Sequence, residues 1–149
     1  PCYVVDGERK IGLPFDCWED YCDIHKERTY DDCAVNKPVE RYARYLKSQG
    51  TELFVLSTAV NKNEILAKQV FIEERLPGLF TDVITVEEDD YKIDVIKQMA
   101  DDYGVGLDEC ELIEDTFNTL LKANEIGIIP THISQLTVDQ NDWFKWTDG

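Results

Sequence analysis

The chain has 149 residues, 43% hydrophobic and 31% charged, a composition that suits one soluble globular domain rather than a disordered chain. Its 31 acidic against 15 basic residues leave a net charge of −16, without the basic footprint that nucleic-acid binding needs to release counterions. No apolar run approaches the roughly 20 residues of a bilayer span, and no basic run followed by an apolar stretch suggests secretion, so a cytoplasmic protein without a membrane partner is expected.

Cys2-Tyr3-Val4-Val5 is a short β-prone run that stops at Asp6-Gly7. Pro1 lies so close to it that further residues are expected before the start. From Phe15 to Lys26 the mixture of aromatic and polar residues fits an irregular or short helical excursion. Asn36-Lys37-Pro38 then opens a helix, because Asn caps and Pro suits the first turn. Val39, Tyr42, Ala43 and Leu46 give that helix its apolar face, and Gly50 ends it. Leu53–Leu56 is a continuous apolar run, as in strands of a parallel sheet buried on both faces.

A helix is predicted from about Lys62 to Arg75, with Pro77-Gly78 as its terminator. Val83–Val86 follows as a strand, and a helix from about Lys92 to Tyr103 precedes Gly104. Glu111–Ile113 is the fourth strand, Thr116 to Ile126 a further helix, and Ile128-Ile129 a fifth strand. Strands that alternate with helices of ten or more residues imply βαβ units and a parallel sheet between helical layers. The expected fold is therefore a Rossmann-like three-layer α/β/α sandwich with a mainly parallel five-stranded sheet. It fills one domain over residues 1–136, with about 12–36 a small insert or minimal cap. The tail, 137–149, carries Trp143, Phe144 and Trp146, which are expected to pack on the domain.

The five cysteines are an odd number without secretory context, which fits reduced thiols. Cys17, Cys22, His25 and Cys33 form the one group worth weighing as a zinc site. Structural zinc pairs stand two to four apart, whereas Cys17 and Cys22 stand five apart and only Cys22 and His25 share a helical face. Small buried thiols are the better account.

Ligands of open α/β sheets sit beyond the carboxyl ends of the strands. The polar residues there are Asp6 and Glu8 after the first strand and Ser57 and Thr58 after the second. Glu87 to Asp90, followed by Lys92, come after the third, and Glu114 and Asp115 after the fourth. Any one of them can cap a helix or face water. Together they make a rim of carboxylates, hydroxyls and one lysine, the donor set of a hard cation and a phosphoryl group.

With these residues in place the chain resembles the haloacid dehalogenase superfamily, and in particular its small phosphatases and nucleotidases without a large cap. The four motifs of that family read here as Val4-Val5-Asp6-Gly7-Glu8, Phe54-Val55-Leu56-Ser57, Lys92, and Leu112-Ile113-Glu114-Asp115. The resemblance covers the chain to about Gln135, and its second half is the more specific. It implies a Mg²⁺-dependent phosphatase in which Asp6 attacks phosphorus to form an aspartyl-phosphate. Mg²⁺ would be held by Asp6, the backbone carbonyl of Glu8, and Asp115 or Glu114. Ser57, with Thr58 beside it, and Lys92 would hold the phosphoryl oxygens of a small phosphorylated substrate, and Lys92 would offset the carboxylates.

Glu8 departs from the Asp that serves the family as general acid, and reaches one methylene further. A second register puts Asp6 in that acid position and Val4 at the nucleophile, and Gly7 fits it. Trp18, Tyr21 and Tyr30 would stack a base or pack on the sheet. An active phosphomonoesterase and a catalytically silent relative that binds metal, a phosphorylated ligand or a protein both fit the motifs.

Overall fold

The computed structural model describes the backbone of residues 2–5, 8–11 and 15–138 and the side chains of residues 18–136. The fold is α/β, with six helices and three two-stranded sheets among the described residues. The chain divides into two compact units.

The first unit contains strands β1 (Cys2–Val5) and β2 (Glu8–Ile11) and helices α1 (Phe15–His25) and α3 (Lys62–Arg75). β1 and β2 pair antiparallel, Cys2 opposite Ile11 and Val5 opposite Glu8. This corrects the expectation that the first strand runs parallel in a larger sheet. The physical reason is local: Asp6-Gly7 separates the paired residues Val5 and Glu8, and Asp-Gly is a strong signal for a two-residue hairpin connection.

Helix α3 starts where the side chain of Asn61 accepts from the Glu64 N–H at 2.9 Å, the ordinary way of satisfying a donor in the first turn. Trp18 stacks on Tyr21 at 6.0 Å, Trp18 meets Tyr30 at 5.9 Å, and Tyr30 packs edge-on against Phe71 of α3 at 6.4 Å. These rings pack on one another and on helix α3. Cys22 is fully buried, and burial, with the nearby Glu64 charge, pushes its thiol above the ordinary value. That suits a packed thiol and not a metal thiolate.

The second unit holds helix α2 (Lys37–Ser48) and strands β3 (Phe54–Thr58) and β4 (Asp82–Val86), followed by α4 (Tyr91–Tyr103). Strand β5 (Glu111–Glu114), α5 (Phe117–Glu125), β6 (Ile129–His132) and α6 (Ile133–Val138) complete it. β3 pairs parallel with β4, Thr58 beside Val86, and β5 pairs parallel with β6, Glu114 beside His132. Parallel pairing is as expected, but the strands form two separate pairs and not a continuous sheet of five.

Between α4, β5 and α5 lies an apolar core of Ile93, Leu112, Leu120, Ala123 and Ile128, with Ile96, Leu107, Cys110 and Ile126 packed against it. Burying a side chain as fully as Ile128 contributes roughly 1.5–3 kcal/mol. Helix α4 ends at Gly104, whose φ of 66° is left-handed backbone that other residues adopt only at a cost. No helix among the described residues is long and apolar enough to cross a membrane.

Candidate functional site

Parallel strands end in register, so the residues at their carboxyl ends come together at one rim. In the second unit Thr58 is the last residue of β3, Glu114 the last of β5 and His132 the last of β6. Lys92 lies in the first turn of α4, and its ammonium points back towards those strand ends.

The contacts form one continuous network. The Thr58 hydroxyl donates to Oδ1 of Asp89 at 2.5 Å. The Lys92 ammonium lies 3.1 Å from the same oxygen and 2.9 Å from Oε2 of Glu114. The other oxygen of Glu114 accepts from the backbone N–H groups of Asp115 and Thr116, at 3.2 and 3.3 Å. The Lys92 and Glu114 side chains are only 7% and 9% exposed, and buried charges persist when they are paired and hydrogen-bonded in this way.

Burial works to lower the Lys92 pKa, but the hydrogen bonds and charges of Glu114 and Asp89 outweigh it and hold the ammonium above its ordinary value. A hydrogen bond shared with Glu114 holds the Asp115 carboxyl below the ordinary value, against partial burial. Its own backbone N–H, the Thr116 hydroxyl and the Lys92 charge add to that effect. Lys92 is thus a fixed cation, and Asp115, the solvent-exposed member of the carboxyl pair it forms with Glu114, is held towards its ionised form.

Of the residues expected at the site, Thr58, Lys92 and Glu114 come together through these bonds, with Asp115 next along the chain. Ser57 is half-buried one step earlier on β3. Side chains alternate along a strand, so it faces the other side of the sheet from Thr58. Of the two hydroxyls, Thr58 is the one on the Asp89 and Lys92 side. Asp6 and the side chain of Glu8 lie outside the described residues, as do the tail from 139 onward and the Cys17 side chain. Among the described residues no three His, Cys, Asp or Glu side chains converge as metal ligands.

Two further participants are Asp89, expected only as one member of the Glu87–Asp90 run, and His132, which the strand-end residues read from the sequence do not include. Asp89 was one acid in a run of four, and its signal was the i, i+3 spacing to Lys92. His132 ends the fifth strand, and its Nε2 lies 3.1 Å from the Asp115 carbonyl. Its Nδ1 accepts from the Ser134 N–H at 3.1 Å, so Nε2 carries the proton and donates to Asp115. The apolar run that signals this strand, Ile128-Ile129, stops three residues before His132, and the strand continues through Pro130 and Thr131.

Neither a family model nor a curated protein matches the chain.

Proposed function

We propose that the chain is a magnesium-dependent phosphomonoesterase of the haloacid dehalogenase type, acting through an aspartyl-phosphate on a small phosphoester such as a nucleotide. The observation that carries this reading is the network joining Thr58, Lys92 and Glu114, with the open Asp115 carboxylate beside it, at the carboxyl ends of parallel strands. A hydroxyl and a fixed ammonium are the groups that hold phosphoryl oxygens, and they act most strongly where little water competes.

Asp6 would be the nucleophile and Glu8 the general acid that protonates the leaving oxygen. Thr58 and Lys92 would bind the transferring group, with Ser57 secondary because it faces away from them. The donor set on the described side fits a hard cation at Asp115. Glu114 is committed to Lys92 and two backbone N–H groups, whereas the Asp115 carboxylate, held towards its ionised form, is exposed. Asp115 would therefore hold Mg²⁺ together with Asp6 and the Glu8 carbonyl, and Glu114 would fix Lys92. When bound, the ion supplies charge neutralisation between the nucleophile and the phosphoryl group.

A second reading, a catalytically silent relative that binds metal, a phosphorylated ligand or a protein, is favoured by the hairpin. Val5 pairs antiparallel with Glu8, and Asp-Gly is a sequence signal for a two-residue connection that needs no catalytic role.

The deciding experiment is a screen of phosphomonoesters with Mg²⁺. Hydrolysis is expected, with loss of activity in Asp6→Asn. Thr58→Val should weaken substrate binding about fivefold, the worth of roughly one hydrogen bond, and Ser57→Ala should have a smaller effect. A protein inactive on every ester, yet able to bind Mg²⁺, would establish the second reading.

A further inference from the structure

We infer that Asp89 is an internal anion that occupies the phosphoryl-binding position between Thr58 and Lys92 and is displaced when a phosphate group enters. The inference rests on the proposed phosphatase reading and adds a means of regulating that site.

One oxygen, Oδ1 of Asp89, receives both the Thr58 hydroxyl at 2.5 Å and the Lys92 ammonium at 3.1 Å. A hydroxyl and an ammonium converging on one anionic oxygen is the arrangement that a phosphoryl oxygen would require of the same two groups. The carboxylate therefore stands in for the ligand.

The two acidic partners of Lys92 differ in their freedom to leave. Glu114 is 9% exposed and also holds the backbone N–H groups of Asp115 and Thr116. Asp89 is 46% exposed, in the segment between β4 and α4. Withdrawing Glu114 would break the bonds at the strand end, whereas the Asp89 side chain is the half-exposed partner, already in contact with solvent. Neighbouring Asp90 pairs with Lys122 at 2.5 Å, which anchors the start of α4 while Asp89 moves.

Charge gives the direction. With Asp89 in place, Lys92 is flanked by two carboxylates, and Asp115 adds a third negative charge nearby. An entering phosphate dianion would meet net negative charge, so it binds well only once Asp89 has swung out and left the Lys92–Glu114 pair neutral. Competition of this kind lowers apparent affinity by the share of molecules held closed.

Inorganic phosphate, titrated calorimetrically into the full chain with Mg²⁺ at low ionic strength, is the probe. Asp89→Asn removes the charge but keeps the shape, and should bind phosphate roughly threefold to tenfold tighter than the wild type. Asp94→Asn, an exposed change on the same helix, controls for net charge and should bind as the wild type does. If Asp89→Asn does not fold, Asp89→Ser carries the same expectation. Phosphate affinity that is unchanged or weaker in the folded Asp89 variant overturns the inference, and wild-type phosphatase activity in the same preparation would leave the function standing. Phosphate bound by neither protein, with no ester hydrolysed, overturns both.

Discussion

Glu64 in the first unit and Glu114 in the second are carboxylates buried to almost the same degree, at 6% and 7% exposure, yet their surroundings differ. Glu64 accepts from the Val60 N–H at 2.8 Å and the Tyr30 hydroxyl at 3.0 Å, with Lys68 at 3.6 Å. Its partners sit around the first turns of α3 and beneath Tyr30, which is itself packed on Phe71. The cation of this network, Lys68, is 19% exposed. Glu114 binds Lys92, which binds Asp89, which accepts from Thr58, so its network runs outward to a half-exposed carboxylate. Burial of a charge alone does not mark a site. What separates these two is whether the chain of contacts ends at a largely covered member or at a half-exposed one that a ligand can replace.

The strongest way to break that contrast is Lys92→Met. It leaves Glu114 without its cation, and removing one partner of a buried pair costs about 3–5 kcal/mol. Loss of stability in urea denaturation and loss of phosphate binding are both expected. Adding Glu114→Leu should restore only part of the stability, because it removes the unpaired buried charge but leaves the Asp115 and Thr116 N–H groups without their acceptor, and it should not restore phosphate binding. Recovery of both properties in the double variant would show that the pair has no part in binding.

Glu64→Gln asks the same question of the Glu64 network. The amide keeps an acceptor for the Val60 N–H and can donate its NH2 to the Tyr30 oxygen, so what is lost is the charge that faces Lys68 and strengthens both bonds, at about 1–3 kcal/mol. The expected result is a lower urea midpoint with phosphate affinity and ester hydrolysis unchanged. A change in phosphate affinity as large as that of Thr58→Val would erase the distinction between the two carboxylates.

Much of this contrast was legible in the sequence, and its gaps have identifiable causes. Helix α3 was found at its actual bounds, Lys62 and Arg75, because apolar periodicity and a terminating Pro-Gly agree. The runs at Phe54, Val83 and Leu112 read as strands because each is mostly apolar and β-prone and is followed by a helix. β2 escaped because Glu8-Arg9-Lys10-Ile11 has a single apolar residue, and it forms by pairing with β1. Helix α6 escaped because six residues are too few to display a period. The continuous sheet was an extrapolation from alternation, which fixes parallel pairing but not which strands are neighbours. Lys92 and Glu114 were legible from strand ends, whereas the role of Asp89 depends on which of four successive acids turns inward. Sequence does not encode that choice in spacing alone.

A finer comparison comes from alkali. The donor facing each buried carboxylate has a raised pKa. Burial, the Glu64 charge and the hydrogen bond to Glu64 raise Tyr30, whereas Glu114 and Asp89 raise Lys92 against the opposing effect of burial. Tyr42, partly buried and bonded to Glu111, is also raised. Each group therefore holds its proton more tightly in the folded chain than in the unfolded one. Their stabilising contributions are complete below the unfolded values, near 10, and decline as pH rises through the folded values. Each group adds at most about 1.4 kcal/mol per pH unit to that decline. Tyr30→Phe removes one such group, so the fall in stability above pH 10 should become shallower by up to that amount, while phosphate affinity at neutral pH stays the same. A slope that does not change would mean that Tyr30 ionises with equal ease in both states, and that Glu64 does not depend on its proton.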